Sequence, residues 1–172
     1  MISAMSRLLM FAGMICPLCL VMGCASKGVT QLGGGFLSYE SASDARNRLK
    51  QAGLGDRWQE QHKKMPQSGS RPPYQFTTLS GPYVLSEIEG HLELVFFDDR
   101  LMSTEFATAR GQGVITAMRG QHTKVPTQPR EEVTLDRRTK FRYDTDPDGT
   151  FRFNWRDPKL EDEWLRWVRD NS

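Results

Sequence analysis

"YQFTTLSGPYVLSEIEGHLELVFFDDRLMSTEFATA", Tyr74 to Ala109, is rich in β-branched and aromatic residues and is punctuated at Ser80-Gly81-Pro82, Glu89-Gly90 and Asp98-Asp99. Apolar runs separated by so few turn-forming residues leave no room for a crossover, so they predict antiparallel hairpins. Leu92, Leu94 and Phe96 alternate with Glu93, Val95 and Phe97, and Met102, Thr104 and Phe106 alternate in the next run. A period of two puts one set on a buried face, so the stretch predicts a β meander packed on helices through that face.

Those helices are sought on either side. Ser41-Ala42-Ser43-Asp44 has the spacing of a capping box with Asp in place of Glu, and Ala45, Leu49 and Ala52 recur on one helical face. Gly53 or Gly55 supplies the left-handed stop. A second short helix is predicted from Arg57 to Met65, where Trp58, His62 and Met65 share a face, before Pro66 to Pro73 breaks regular structure. Downstream, a short helical pattern covers Val114 to Arg119 and a polar connector runs from Gln121 to Pro129. EVTLD and KFRYD then lead through TDPDG into FRFNW, a second hairpin. Asp157-Pro158 is a cap and first-turn pair for a last helix, with Glu161, Asp162 and Glu163 at its electropositive start and an apolar stripe of Leu160, Trp164, Leu165, Trp167 and Val168. The fold class read from this order is α+β, an antiparallel sheet with helices on one face. Residues 39–172 form one domain, with a division into two sub-lobes near 108–130, or two diverged copies of one helix-and-sheet unit, left open.

The chain has 172 residues, 23 basic and 21 acidic side chains and a net charge of +2. A near-balanced surface lacks the basic excess that phosphate-backbone binding requires, so no nucleic acid is expected as a partner. The charges are unevenly placed. No acidic residue precedes Glu40, and five of the eight methionines lie before Cys24. Arg7 is followed by LLMFAGMICPLCLVM, an uncharged run of fifteen residues containing Gly13 and Pro17. A spanning helix needs roughly 20 apolar residues, so this run reads as a secretory signal peptide, removed with residues 1–23. Cys16 and Cys19, a C-x-x-C, lie inside the discarded run, which leaves Cys24 as the sole thiol of the mature chain. Residues 24–38 are glycine-rich and small, and predict a flexible tether that ends with Phe36 and Leu37 against the domain.

Val21-Met22-Gly23-Cys24 resembles the lipobox of bacterial lipoproteins. The resemblance implies that Cys24 becomes the amino terminus and carries a thioether-linked diacylglycerol and an amide-linked acyl chain. At roughly 0.8 kcal/mol per buried methylene, two or more chains anchor a protein stably. Ala25 stands where aspartate would retain such a protein in the inner membrane, so the resemblance implies the outer membrane with the body facing the periplasm, surface exposure remaining open. The body, over about residues 40–107, is architecturally similar to the SmpA/OmlA family of small outer-membrane lipoproteins, which set two helices before a β meander.

Chemistry-bearing residues are few. Asp144, Asp146, Asp148 and Gly149 match the first half of a calcium loop, but the twelfth position is Trp155 rather than a bidentate glutamate, so a solvated turn is the stronger reading and no metal is expected. In the second hairpin, Phe141, Tyr143, Phe151, Phe153 and Trp155 fall on one side, the expected core. Lys140, Arg142, Arg152 and Arg156 fall on the other, a candidate face for an anionic partner or else a solvated face guarded by charge. His62, His91 and His122 are isolated, Glu87, Glu89 and Glu93 have no identified partner, and no catalytic or cofactor-binding motif is present. No cofactor is expected. The function these readings predict is a lipid-anchored, non-enzymatic envelope protein that binds or scaffolds a protein partner. The alternative is a lipoprotein that binds a small ligand or glycan or inhibits a secreted enzyme.

Overall fold

The computed structural model describes residues 28–65, 74–136 and 138–171. The signal-peptide reading of 1–23, Cys24 itself, the C-x-x-C and the Pro66–Pro73 breaker lie outside them.

The architecture is α+β: the described residues form three α-helices and one seven-stranded antiparallel sheet. Helix α1 (Ala42–Gln51) starts on Ser41, whose Oγ accepts from the Asp44 amide at 3.1 Å, and ends before Gly53 at φ +71°. Strands β1 (Gln59–Met65), β2 (Tyr74–Leu85), β3 (Ile88–Phe97) and β4 (Arg100–Thr108) form the meander. Helix α2 (Gly111–Gln121) leads to β5 (Glu132–Leu135), β6 (Thr139–Thr145) and β7 (Phe151–Arg156), and α3 (Pro158–Asn171) closes the order. The strands lie in the order β1-β2-β3-β4-β7-β6-β5. Each half is thus a helix followed by a meander, and the halves meet where the last strands, β4 and β7, pair with Phe106 opposite Phe153. The sheet runs unbroken across the expected division near 108–130.

Several sequence expectations change. Gln59–Met65 is an edge strand, not a second helix. A helix that short is marginal by itself, whereas pairing with β2 satisfies the backbone of both segments. Ser80-Gly81-Pro82 and Glu89-Gly90 are strand interior rather than turns, and the β2–β3 turn is Ser86-Glu87, both at positive φ as a two-residue hairpin turn requires. Pro82 fits because β1 pairs with β2 only as far as Ser80, so the amide that proline lacks would have had no partner there. Finally, helices cover both faces. Ala42, Ala45 and Leu49 of α1 and Val114, Ile115 and Met118 of α2 join Leu92, Leu94, Phe96, Phe106, Phe141, Phe153 and Trp155 in the main core. On the opposite face Leu160 of α3 packs with Phe97 and Met102 in a second cluster, with Trp164 and Trp167 against Phe76 and Tyr74. Met102 reaches that face because Val95 pairs with Ser103 and Phe96 with Leu101, which makes Met102 an extra residue on β4. Leu165, assigned to the apolar stripe of α3, is 49% exposed.

The expected tether is folded wherever it is described. Leu32 and Phe36 are buried, Gln31 bridges to Leu37, and the Thr30 amide donates to Ser38 Oγ at 2.7 Å. The glycines here serve geometry rather than flexibility. A Cβ on Gly33 would stand 2.4 Å from the Trp155 indole, and Gly34 and Gly35 hold φ +75° and +78°.

Candidate functional site

Where the folded 30–38 segment, α2 and the β5–β6 turn converge on the main-core face, they leave a cleft of about 260 Å³. Its floor is apolar: Leu32, Val114, Met118, Leu135 and Trp155, all buried. Gln31, Gln121, His122, Asp136 and Thr139 line it with polar groups. His122 sits there because α2 ends on it, its amide donating to the Met118 carbonyl at 2.9 Å. Asp136 sits there because the tight β5–β6 turn holds it at φ +46°. His122 Nδ1 is buried and 3.4 Å from Asp136 Oδ2, near enough to pair when the ring is charged but without an aligned hydrogen bond. Thr139 donates its hydroxyl to the Gln31 carbonyl at 2.8 Å, which ties the amino-terminal wall of the cleft to the sheet. Ser86 also borders the cleft, and the Thr139 hydroxyl is turned to the Gln31 carbonyl rather than to the imidazole. The arrangement suits recognition of a polar ligand end over an apolar floor. His122 was only an isolated histidine in the sequence, and its cleft depends on Asp136, Gln31 and Gly33–Gly35, which no local motif connects to it.

The predicted basic face is largely neutralised by its neighbours. Arg156 pairs with Glu132 and with Glu161, and Lys140 lies 3.4 Å from Glu161 and 3.7 Å from Glu132. This four-charge group joins β5, β6 and β7 to the first turn of α3. Arg152 pairs with Asp146 at 2.7 Å and Glu105 at 3.0 Å, and Arg142 is exposed opposite Glu132. Asp144 accepts from Arg130 at 3.2 Å and from the Thr145 amide, and Asp148 from the Thr150 amide, so both carboxyls are held below their usual range mainly by those backbone hydrogen bonds. The calcium-like run is therefore a self-satisfied turn. Among the described residues no cluster of three or more histidine, cysteine or carboxylate groups is placed to hold a metal.

Away from α3, the second face of the sheet carries half-buried polar side chains among the described residues. Glu93 and Glu105 are cross-strand partners there, and Glu105 is taken by Arg152. Burial, then the Glu105 charge, raises the Glu93 carboxyl above its usual range. Like charges directly opposite destabilise a sheet, and this pair had no signal in the sequence because the register brings it together. Comparison with family models, with curated proteins and with solved structures returned no match. The second helix on which the SmpA/OmlA likeness rested is strand β1. Among the described residues no helix is long and apolar enough to cross a membrane.

Proposed function

We propose that this is a lipid-anchored binding protein of the bacterial outer membrane, facing the periplasm, which recognises the polar end of a small ligand or glycan without turning it over. The observation that carries the binding role is the cleft, where side chains from three separate elements converge on an apolar floor. Its volume of about 260 Å³ suits one sugar ring or a comparable polar group rather than a large cofactor. Gln31, Gln121 and Thr139 offer neutral donors and acceptors, while the His122–Asp136 pair can donate and accept across the same mouth. The anchor rests on the resemblance of Val21 to Cys24 to a lipobox. Titration calorimetry with N-acetylglucosamine oligomers tests the ligand class: saturable heat that His122→Ala removes supports it, and heat unchanged by that substitution defeats the cleft.

A second reading, a protein partner at the second sheet face, is favoured by the Glu93–Glu105 pair. A cationic side chain from a partner would relieve a repulsion that the fold otherwise tolerates at a cost. Cross-linking from position 105 in cells tests it. Recovery of one envelope protein, lost with Glu93→Gln, supports the partner reading, and the same products from wild type and variant refute it.

A further inference from the structure

The folding of residues 30–38 shortens the link between lipid and domain. Thr30 is fixed by its amide to Ser38 Oγ, by its carbonyl to the Ser38 amide at 2.8 Å and by its hydroxyl to the buried Asp157 carboxylate at 2.5 Å. From Cys24 to Thr30 is six residue steps, which span at most about 20 Å however they are arranged. A lipid on Cys24 therefore holds this end of the sheet within that distance of the bilayer surface.

The residues flanking the exit point fit such a surface. Leu37, bridged to Gln31, is 45% exposed, and Tyr39 is 37% exposed; with Val84 and Leu165 they are the exposed large hydrophobic side chains among the described residues. Tyr39 takes φ +66°, a conformation that glycine or asparagine adopts more readily, and is held in it by hydrogen bonds around it: its amide to the Leu101 carbonyl and the Leu101 amide to the Glu40 carbonyl. The fold thus holds a strained, partly exposed tyrosine next to Ser38, whose amide and hydroxyl fix Thr30 at the start of the described segment. Tyrosine prefers the head-group level, where its ring is apolar and its hydroxyl wet. On the other side of the exit, exposed Arg138 precedes Thr139, whose hydroxyl holds the Gln31 carbonyl.

We propose that the Leu37–Tyr39 turn is a membrane-docking edge that rests among the phospholipid head groups of the leaflet holding the Cys24 lipid. The inference rests on the lipoprotein reading of Cys24 and adds an orientation to it. In that pose the β6–β7 turn, a strand length of about 20 Å away along β6, points from the membrane.

The test uses the full chain expressed and processed in a bacterium and reconstituted in phosphatidylethanolamine–phosphatidylglycerol vesicles. Because the processed chain retains no thiol but the acylated one, Leu37→Cys and Asp148→Cys each give a single labelling site. An environment-sensitive dye at 37 is expected to shift to the blue and to be quenched by brominated acyl chains, while the dye at 148 stays accessible to aqueous iodide. Acylated, vesicle-bound protein in which both dyes respond alike to iodide overturns the docking edge and leaves the lipoprotein reading standing. Protein whose intact mass lacks the acyl increment, and which stays off the vesicles, overturns both.

Discussion

Asp157→Ala probes the junction that fixes the amino-terminal segment to the domain. Asp157 is 1% exposed, and its Oδ1 accepts from the amides of Lys159 at 2.9 Å and Leu160 at 3.1 Å, which caps α3. Its Oδ2 accepts from the Thr30 hydroxyl at 2.5 Å. Loss of an N-cap side chain costs about 1 kcal/mol, within a range of roughly 0.5–2. The Thr30 hydroxyl, in a residue 5% exposed, is left with only its Ser38 neighbour, and an unsatisfied buried hydroxyl costs about 1–3 kcal/mol. Together the expected loss is about 2–4 kcal/mol. With a urea dependence of about 2 kcal/mol per molar, the midpoint of unfolding falls by about 1–2 M. Asp157→Asn retains one acceptor oxygen and loses about half as much. Because both groups belong to one buried contact, Thr30→Val and Asp157→Ala should couple, with the double variant less destabilised than the sum by about 0.5 kcal/mol or more. A midpoint shift of about 0.2 M or less for Asp157→Ala, or losses that simply add in the cycle, would refute the reasoning.

Gly33→Ala drives a methyl into the Trp155 indole and should cost about 1–3 kcal/mol in thermal or urea unfolding, whereas at Gly120, where a Cβ meets nothing, the same change should be neutral or slightly stabilising. Glu93→Gln should stabilise the protein at neutral pH by a few tenths of a kcal/mol, a small figure because the group is half in solvent. The sign follows from the raised carboxyl: the folded state holds its proton more tightly than the unfolded state, so wild type gains stability from this group as pH falls through the folded pKa. The advantage of Glu93→Gln should therefore shrink in urea titrations as pH approaches the ordinary glutamate range. Millimolar calcium or its chelation should leave the melting temperature unchanged, since the carboxyls of the Asp144–Asp148 turn are already spent on arginines and backbone amides; a rise with calcium would restore the calcium-loop reading. Cys24→Ala should lack the acyl mass increment and appear in the soluble fraction, and a wild-type mass with no increment beyond the cysteine-for-alanine difference would remove the anchor.

What the sequence disclosed depended on whether the deciding interaction was local. The α1 cap, the Asp157-Pro158 start of α3, the alternation in β3 and the aromatic side of the second hairpin are all properties of neighbouring residues, and all appear in the fold. Gln59–Met65 misleads because Gln, Glu and Lys favour helix locally while the unpaired edge of β2 offers a larger gain. Gly81 and Gly90 look like turns because the rings they accommodate, Trp58 and Phe106, come from other strands or loops. The basic face was legible as an alternation, but its neutralisation was not, because Glu105, Glu132 and Glu161 arrive from three other elements. The cleft was least visible of all: His122, Asp136 and Gln31 are distant in sequence and become neighbours only when the amino-terminal segment lies across the sheet.

That segment joins two roles which the sequence kept apart. As a free linker, residues 24–38 would decouple the domain from the proposed lipid and let it tumble above a membrane. In its described part, residues 28–38, Gly33 lies against Trp155 and the Gly34 carbonyl accepts from the Tyr83 hydroxyl to make one wall of the cleft, while Thr30, a few residues earlier, is fixed to Asp157 on the side from which the proposed anchor would lead. The glycines that resemble a linker are required because bulkier residues would strike the indole or strain the left-handed turns. A ligand seated against Gly33–Gly35 would therefore add contacts to the same segment that the proposed anchor leads into. If the proposed docking holds, linkage would join the two: a bilayer that holds Leu37 and Tyr39 in place would also steady the cleft wall, and a ligand on that wall would steady the docked edge.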